Sequence, residues 1–147
     1  MLSTARPLAA AAALSLLAAC GGEGQKSAAP PAYNLNGIWS VTVSSVQKTC
    51  SDDPTIPGLI AITHDGSSNQ FTIGASALGA TPIPGTIDGA TVSFATSQSV
   101  SDCNPLSVNV HLTLGDANHG AGTASYQCSY TGGSCGGSMN LAIARQP

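Results

Sequence analysis

The chain has 147 residues, only 7% of them charged, and a net charge of −3. Lys and Arg together number four, too few to follow a phosphate backbone, so nucleic acid is excluded as a class of partner. The length suits one domain with a core of its own.

The first six residues carry a single cation, Arg6, and residues 8–19 are almost wholly Ala and Leu. That apolar run is too short to span a bilayer, which takes about 20 residues. A charged start, a short apolar core and a small-residue end predict a secretory signal peptide over residues 1–19. A cysteine follows at once. Leu17-Ala18-Ala19-Cys20 resembles the lipobox of bacterial lipoproteins. The resemblance implies that the Cys20 thiol receives a diacylglycerol, that the peptide is cut before it, and that the new amino group is acylated. Cys20 then becomes the first mature residue and the membrane anchor. More than one acyl chain is needed for this, because a single chain binds a membrane only marginally. Gly21, rather than aspartate, after the cysteine implies sorting to the outer membrane. The plain alternative is an ordinary cleaved signal followed by an incidental cysteine. Removing residues 1–19 leaves Lys26, Lys48 and Arg145 against seven acidic residues.

Residues 20–33 hold Gly, Ala, Ser and the pair Pro30-Pro31 without an apolar period, and are read as the lipidated cysteine and a flexible linker. The domain is expected over 34–147. Cys50, Cys103, Cys128 and Cys135 remain there, and an even set in an exported chain predicts two disulfides. Three connectivities are open. Cys128 and Cys135 flank a turn-like Ser-Tyr-Thr-Gly-Gly-Ser, which favours local closure across one hairpin and leaves Cys50 with Cys103. Four thiolates on one metal are disfavoured by the spacing, which lacks C-x-x-C pairs.

In chain order the pattern is that of short strands broken by turns. Trp39, Val41 and Val43 alternate with Ile38, Ser40 and Thr42, which predicts a strand over about 37–46. A loop with Cys50 and two prolines leads to a second strand, 59–64, stopped by Asp65-Gly66-Ser67-Ser68-Asn69. Residues 70–75 form the third. Pro82 and Pro84 confine the fourth to a short, edge-like piece, since proline cannot donate to a ladder. Asp88-Gly89 predicts a two-residue hairpin into a fifth strand over 90–94. Residues 107–114 alternate cleanly, and 121–128 and 138–145 complete eight. No stretch after residue 20 shows a helical period. Eight consecutive strands with hairpin links predict an all-β, antiparallel up-and-down barrel, with a β-sandwich as the alternative.

Gly37-Ile38-Trp39 resembles the G-x-W start of the lipocalin and avidin group of barrels. In that group the tryptophan closes one end of the barrel beneath an arginine from the last strand, so the resemblance implies Arg145 over Trp39. Such a guanidinium–indole contact is a cation–π interaction. The middle T-D-Y motif of the lipocalins is absent, and no biotin-contacting pattern can be placed.

The residues offer little catalytic chemistry. His64, His111 and His119 are the imidazoles, and their spacing gives no sign of a zinc site. Asp52-Asp53 lacks the oxygen pattern of a calcium loop. No G-x-S-x-G elbow supports a serine nucleophile. The glycine-rich run 132–137 lacks the lysine and helix of a phosphate loop and is read as a bridged hairpin turn. The expectation is a non-enzyme without cofactor or metal. It is held to the outer membrane through Cys20 and acts in a structural or protein-interaction role in the envelope. Small disulfide-bearing barrel lipoproteins that inhibit proteases or lysozyme offer an analogy. The alternative is a carrier of a small apolar ligand, with Ala61, Ala124 and Ala142 leaving room inside.

Overall fold

The computed structural model describes residues 28–51, 56–74, 81–100 and 103–147; the signal peptide, Cys20 and Asp52-Asp53 lie outside them. Eight antiparallel strands close in chain order, each pairing with the next and the last with the first. They are β1 (Gly37–Lys48), β2 (Leu59–Thr63), β3 (Gln70–Ile73), β4 (Ile83–Asp88), β5 (Thr91–Val100), β6 (Cys103–Leu114), β7 (His119–Tyr130) and β8 (Gly133–Arg145). This is the up-and-down barrel of the sequence pattern, and no described residue is helical.

The period of two decides inside from outside. Trp39, Ile60, Ile62, Phe71, Ile73, Ile87, Val92, Val110, Leu112, Met139, Leu141 and Ile143 point inward and form one buried cluster. Their neighbours along each strand are mainly Ser, Thr, Asn and Ala, and face out. An apolar interior inside a hydroxyl-rich wall is the inverse of a transmembrane barrel, whose lipid face is the apolar one. Burying each large side chain contributes about 1.5–3 kcal/mol.

The strands are unequal. β1 and β5–β8 run 10 to 13 residues, whereas β2, β3 and β4 have five, four and six. The long strands therefore rise beyond the short ones at one end. That end, the rim, receives the β1–β2, β3–β4, β5–β6 and β7–β8 connections. The opposite end receives the other three turns, the chain entering β1, and Arg145 leaving β8.

Several expectations shift in detail. Pro84 lies inside β4, opposite Thr72 of β3, but β5 pairs with β4 only from Gly85 onward. A missing N–H is harmless where one side of the strand has no neighbour. The β4–β5 turn is Gly89-Ala90, since Asp88 still pairs with Thr91. Gly89 takes φ +59°, the positive value required at the first central position of a II′ hairpin. The glycine-rich run is strand from Gly133 on, with Tyr130 paired to Gly133 across Thr131-Gly132. Glycine serves close approach there: a Cβ on Gly137 would lie 2.4 Å from the Gln47 carbonyl oxygen and 2.8 Å from the Tyr126 ring.

Candidate functional site

The end opposite the rim is closed by the segment leading into β1. Leu35 is fully buried beneath the barrel and so is Trp39. The indole Nε1 of Trp39 donates to the Leu35 carbonyl at 2.8 Å. The Leu35 N–H donates to Nδ1 of His64 at 3.0 Å. With Nδ1 accepting, Nε2 carries the ring proton and donates to the Ser68 carbonyl at 2.7 Å. His64 is thus a buried linker between three chain segments, a role that sequence alone did not assign to it. Its signal is faint: a polar residue ending an apolar strand, with Leu35 just upstream of Gly37-Ile38-Trp39.

Arg145 completes this end. Its guanidinium lies 4.9 Å from the centroid of the Trp39 ring. One terminal nitrogen donates to the Asn36 carbonyl at 2.8 Å and the other to the Asn34 carbonyl. Two carbonyls take the two terminal nitrogens and one ring face lies against the plane, a geometry lysine cannot reproduce, while the buried Nε has no hydrogen-bond partner. Gly37 beside it takes φ +137°, and Arg145 Nη1 lies 3.7 Å from where a Cβ would stand. The Gly37, Trp39 and Arg145 positions form a structural plug at this end of the barrel.

The other histidines do not join His64. His111 sits on the outer face and its Nδ1 meets Ser93 Oγ at 3.0 Å. His119 opens β7, exposed, with its Nδ1 3.1 Å from Asp116 in the preceding turn. Among the described residues no three His, Cys, Asp or Glu side chains come together to hold a metal ion.

The rim holds both disulfides, with connectivities other than the hairpin closure favoured by the sequence. Cys50 bonds Cys135, and Cys103 bonds Cys128, with Cα atoms 5.1 and 5.0 Å apart. Cys128 and Cys135 do face each other in the β7–β8 register, but each reaches sideways to the strand on its far side. The β1–β8 register explains one choice. Lys48 pairs with Gly137, and Thr49 exchanges hydrogen bonds with Gly136, so Cys50 arrives opposite Cys135. The two bridges tie β1 to β8 and β6 to β7 where the long strands lack the cover of β2–β4.

Inside, among the described residues, an apolar void of about 40 Å³ lies between Val41, Phe94, Val108, Ala124 and Met139, with Ile56 and Pro57 of the β1–β2 connection over it. Of the three alanines expected to leave room, only Ala124 faces in; Ala61 and Ala142 lie on the outer face because their strand positions are out of phase with the buried ones. A second depression, on the outer wall among Asn109, Ser125, Gln127 and Gly136, is open and uncharged. Exposed apolar groups are spread over the wall: Ile38 and Leu59 lie on the outer face of β1 and β2, and others stand nearer the rim. Val100 and Tyr130 stand at the tips of β5 and β7, 41% and 49% exposed. Val46 is exposed within the bulge of β1, where Ser45 takes a positive φ.

No family model, no curated protein and no solved structure matches the chain significantly.

Proposed function

We propose that this chain is an outer-membrane lipoprotein, anchored through acylated Cys20, whose barrel works by contact with another envelope protein rather than by catalysis. The observation that carries this reading is the filled interior. A void of about 40 Å³ is well below the roughly 150 Å³ at which an apolar cavity takes up even benzene. Surface is what such a barrel has to offer, and the disulfide-braced rim presents Val100 and Tyr130 on rigid strands. Aromatic groups on a rigid frame are the usual anchors of protein interfaces.

A carrier role for a small apolar ligand is the second reading. It is favoured by the apolar lining of the void, with Met139 in its wall, a side chain that adapts to irregular space.

Native mass spectrometry on residues 21–147, exported without the anchor, separates the two. A bare mass, four hydrogens light for two disulfides, supports the interaction reading. A small molecule that leaves on denaturation would overturn it in favour of the carrier. The anchor is tested separately: Cys20→Ser should abolish labelling with a radioactive fatty acid, and persistent labelling would remove the anchor from the proposal.

A further inference from the structure

The segment before β1 is a strap tied down at both sides of the closed end. At one side Ala29 N–H donates to Asp88 Oδ1 at 2.5 Å, and Ala32 N–H donates to the Gly89 carbonyl at 2.7 Å. The Ala29 carbonyl accepts from Gly89 N–H at 3.3 Å and from Asn69 Nδ2 at 2.5 Å. Between these two anchoring residues stand Pro30 and Pro31, which have no N–H to satisfy and a fixed φ. At the other side Arg145 holds the Asn34 and Asn36 carbonyls. The strap thus runs from the β4–β5 hairpin to β1 and β8, which lie across the barrel in an eight-strand ring.

We infer that this strap sets how the protein stands on the membrane: the closed end faces the lipid and the rim faces away from it. The inference rests on the acylation of Cys20 proposed above. Eight residues lie between Cys20 and Ala29, and the nine steps from one to the other, at about 3.3–3.6 Å each, reach at most about 30 Å. Ala29 is fixed to the β4–β5 turn, so that turn stays within this distance of the headgroups. The long strands, tilted as barrel strands are, carry the rim roughly another 30 Å away. Charge opposes adhesion of the near end. Among the described residues the carboxylates all lie at this end, Asp65 and Asp116 in turns and Asp88 at the last position of β4, and an anionic leaflet repels them. The barrel is leashed at this end and stands off the surface, leaving Val100 and Tyr130 turned toward the compartment where a protein partner is met.

The test uses the full chain, processed in a bacterial host and reconstituted in phosphatidylcholine vesicles with rhodamine-labelled headgroups. An azidophenylalanine at Asn118, in the turn beside the strap, or at Thr131, in the β7–β8 turn at the rim, carries a donor dye. Energy transfer to the headgroups should be at least twofold greater from position 118. Equal or reversed transfer in acylated protein overturns the orientation alone. Absence of the acyl mass in the vesicle-extracted protein overturns the anchor, and this inference with it. Asn69→Ala/Asp88→Ala, with folding verified by Trp39 emission, lengthens the leash toward Asn34, which Arg145 still holds at the same end, so the ratio should fall but stay above one. An unchanged ratio would show that the strap does not set the exit point.

Discussion

The buried N–H of Leu35 is satisfied by a side chain 29 residues away, Nδ1 of His64, at 3.0 Å. The same imidazole holds the Ser68 carbonyl through its other nitrogen, so one ring joins the strap, the end of β2 and the β2–β3 turn. His64→Ala leaves the Leu35 donor without its acceptor inside the barrel, and a buried donor left unmet costs about 1–3 kcal/mol. His64→Asn, whose side-chain oxygen can stand where Nδ1 stands, should recover part of that loss. Urea unfolding followed by Trp39 fluorescence measures both, and equal stability of the two variants would contradict the role assigned to Nδ1.

Arg145 closes the same end through shape as much as charge. Its guanidinium meets two carbonyls and an indole face at once. Arg145→Lys keeps the charge and should still lose about 1–3 kcal/mol, because hydrogen bonds from a charged donor contribute about 1.5–3 kcal/mol and an ammonium cannot fork. Trp39 is the only tryptophan, so a red shift of its emission at native conditions reports opening of the plug. An unshifted emission and unchanged midpoint in the lysine variant would show that charge alone suffices.

Peptide mapping without reduction should recover Cys50 linked to Cys135 and Cys103 linked to Cys128. Their sequence separations are 85 and 25. In the chain-entropy account, loops of those sizes confer roughly 3–5 kcal/mol each. Cys50→Ala/Cys135→Ala should therefore lose at least as much stability as Cys103→Ala/Cys128→Ala. The reverse order would mean that local strain or residual structure in the unfolded chain governs the effect.

The strand count, the inward stripe and the closed barrel were legible in the sequence because period-two alternation survives in nearly every strand. The cysteine pairing was not. Glycines at 133, 136 and 137 look like turn residues, and only their pairing with Tyr130, Gln127 and Tyr126 of β7 shows that they belong to a strand. Once β8 begins at Gly133, Cys135 is a ladder residue and the hairpin closure gives way to sideways bridges. The phase of the alanines was lost for a related reason. Ala61 and Ala142 are small enough for either face, so their side is decided by Ile60, Ile62, Leu141 and Ile143 beside them. The Leu35–His64 link and the strap lay out of reach because each joins residues distant in sequence through single hydrogen bonds that leave no periodic trace.

Gly85 and Phe71 are cross-strand partners, and the far end of the ring lies over the glycine. A Cβ at position 85 would stand 2.2 Å from the Phe71 ring, so Gly85→Ala must displace the aromatic side chain from the core. Overpacking of this kind costs about 1–3 kcal/mol. In Phe71→Leu the obstacle is smaller, and adding Gly85→Ala to that background should cost clearly less than adding it to the native chain. Additive losses in the double-mutant cycle would mean that the two residues do not meet as described.

Two turns at the closed end make the protein sensitive to acid. Asp65 Oδ1 accepts the backbone N–H groups of Ser68 at 2.7 Å and Ser67 at 2.8 Å, and these bonds, that of Ser68 foremost, hold its carboxyl below the usual range. Asp116 is lowered in the same way, first by the N–H of Asn118 at 2.7 Å, with further contributions from His119. A carboxyl whose folded pKa lies below its unfolded one binds fewer protons in the folded state. Its stabilisation is complete above the ordinary value of about 3.9 and disappears as pH falls through the lowered folded value. Asn at both positions keeps an oxygen for the same N–H groups but does not titrate. The native chain should therefore lose more stability than Asp65→Asn/Asp116→Asn between about pH 5 and about pH 2. The remaining carboxyl groups titrate alike in both proteins, so the difference between the two acid limbs belongs to these turns. Parallel limbs in urea unfolding across that range would refute the assignment.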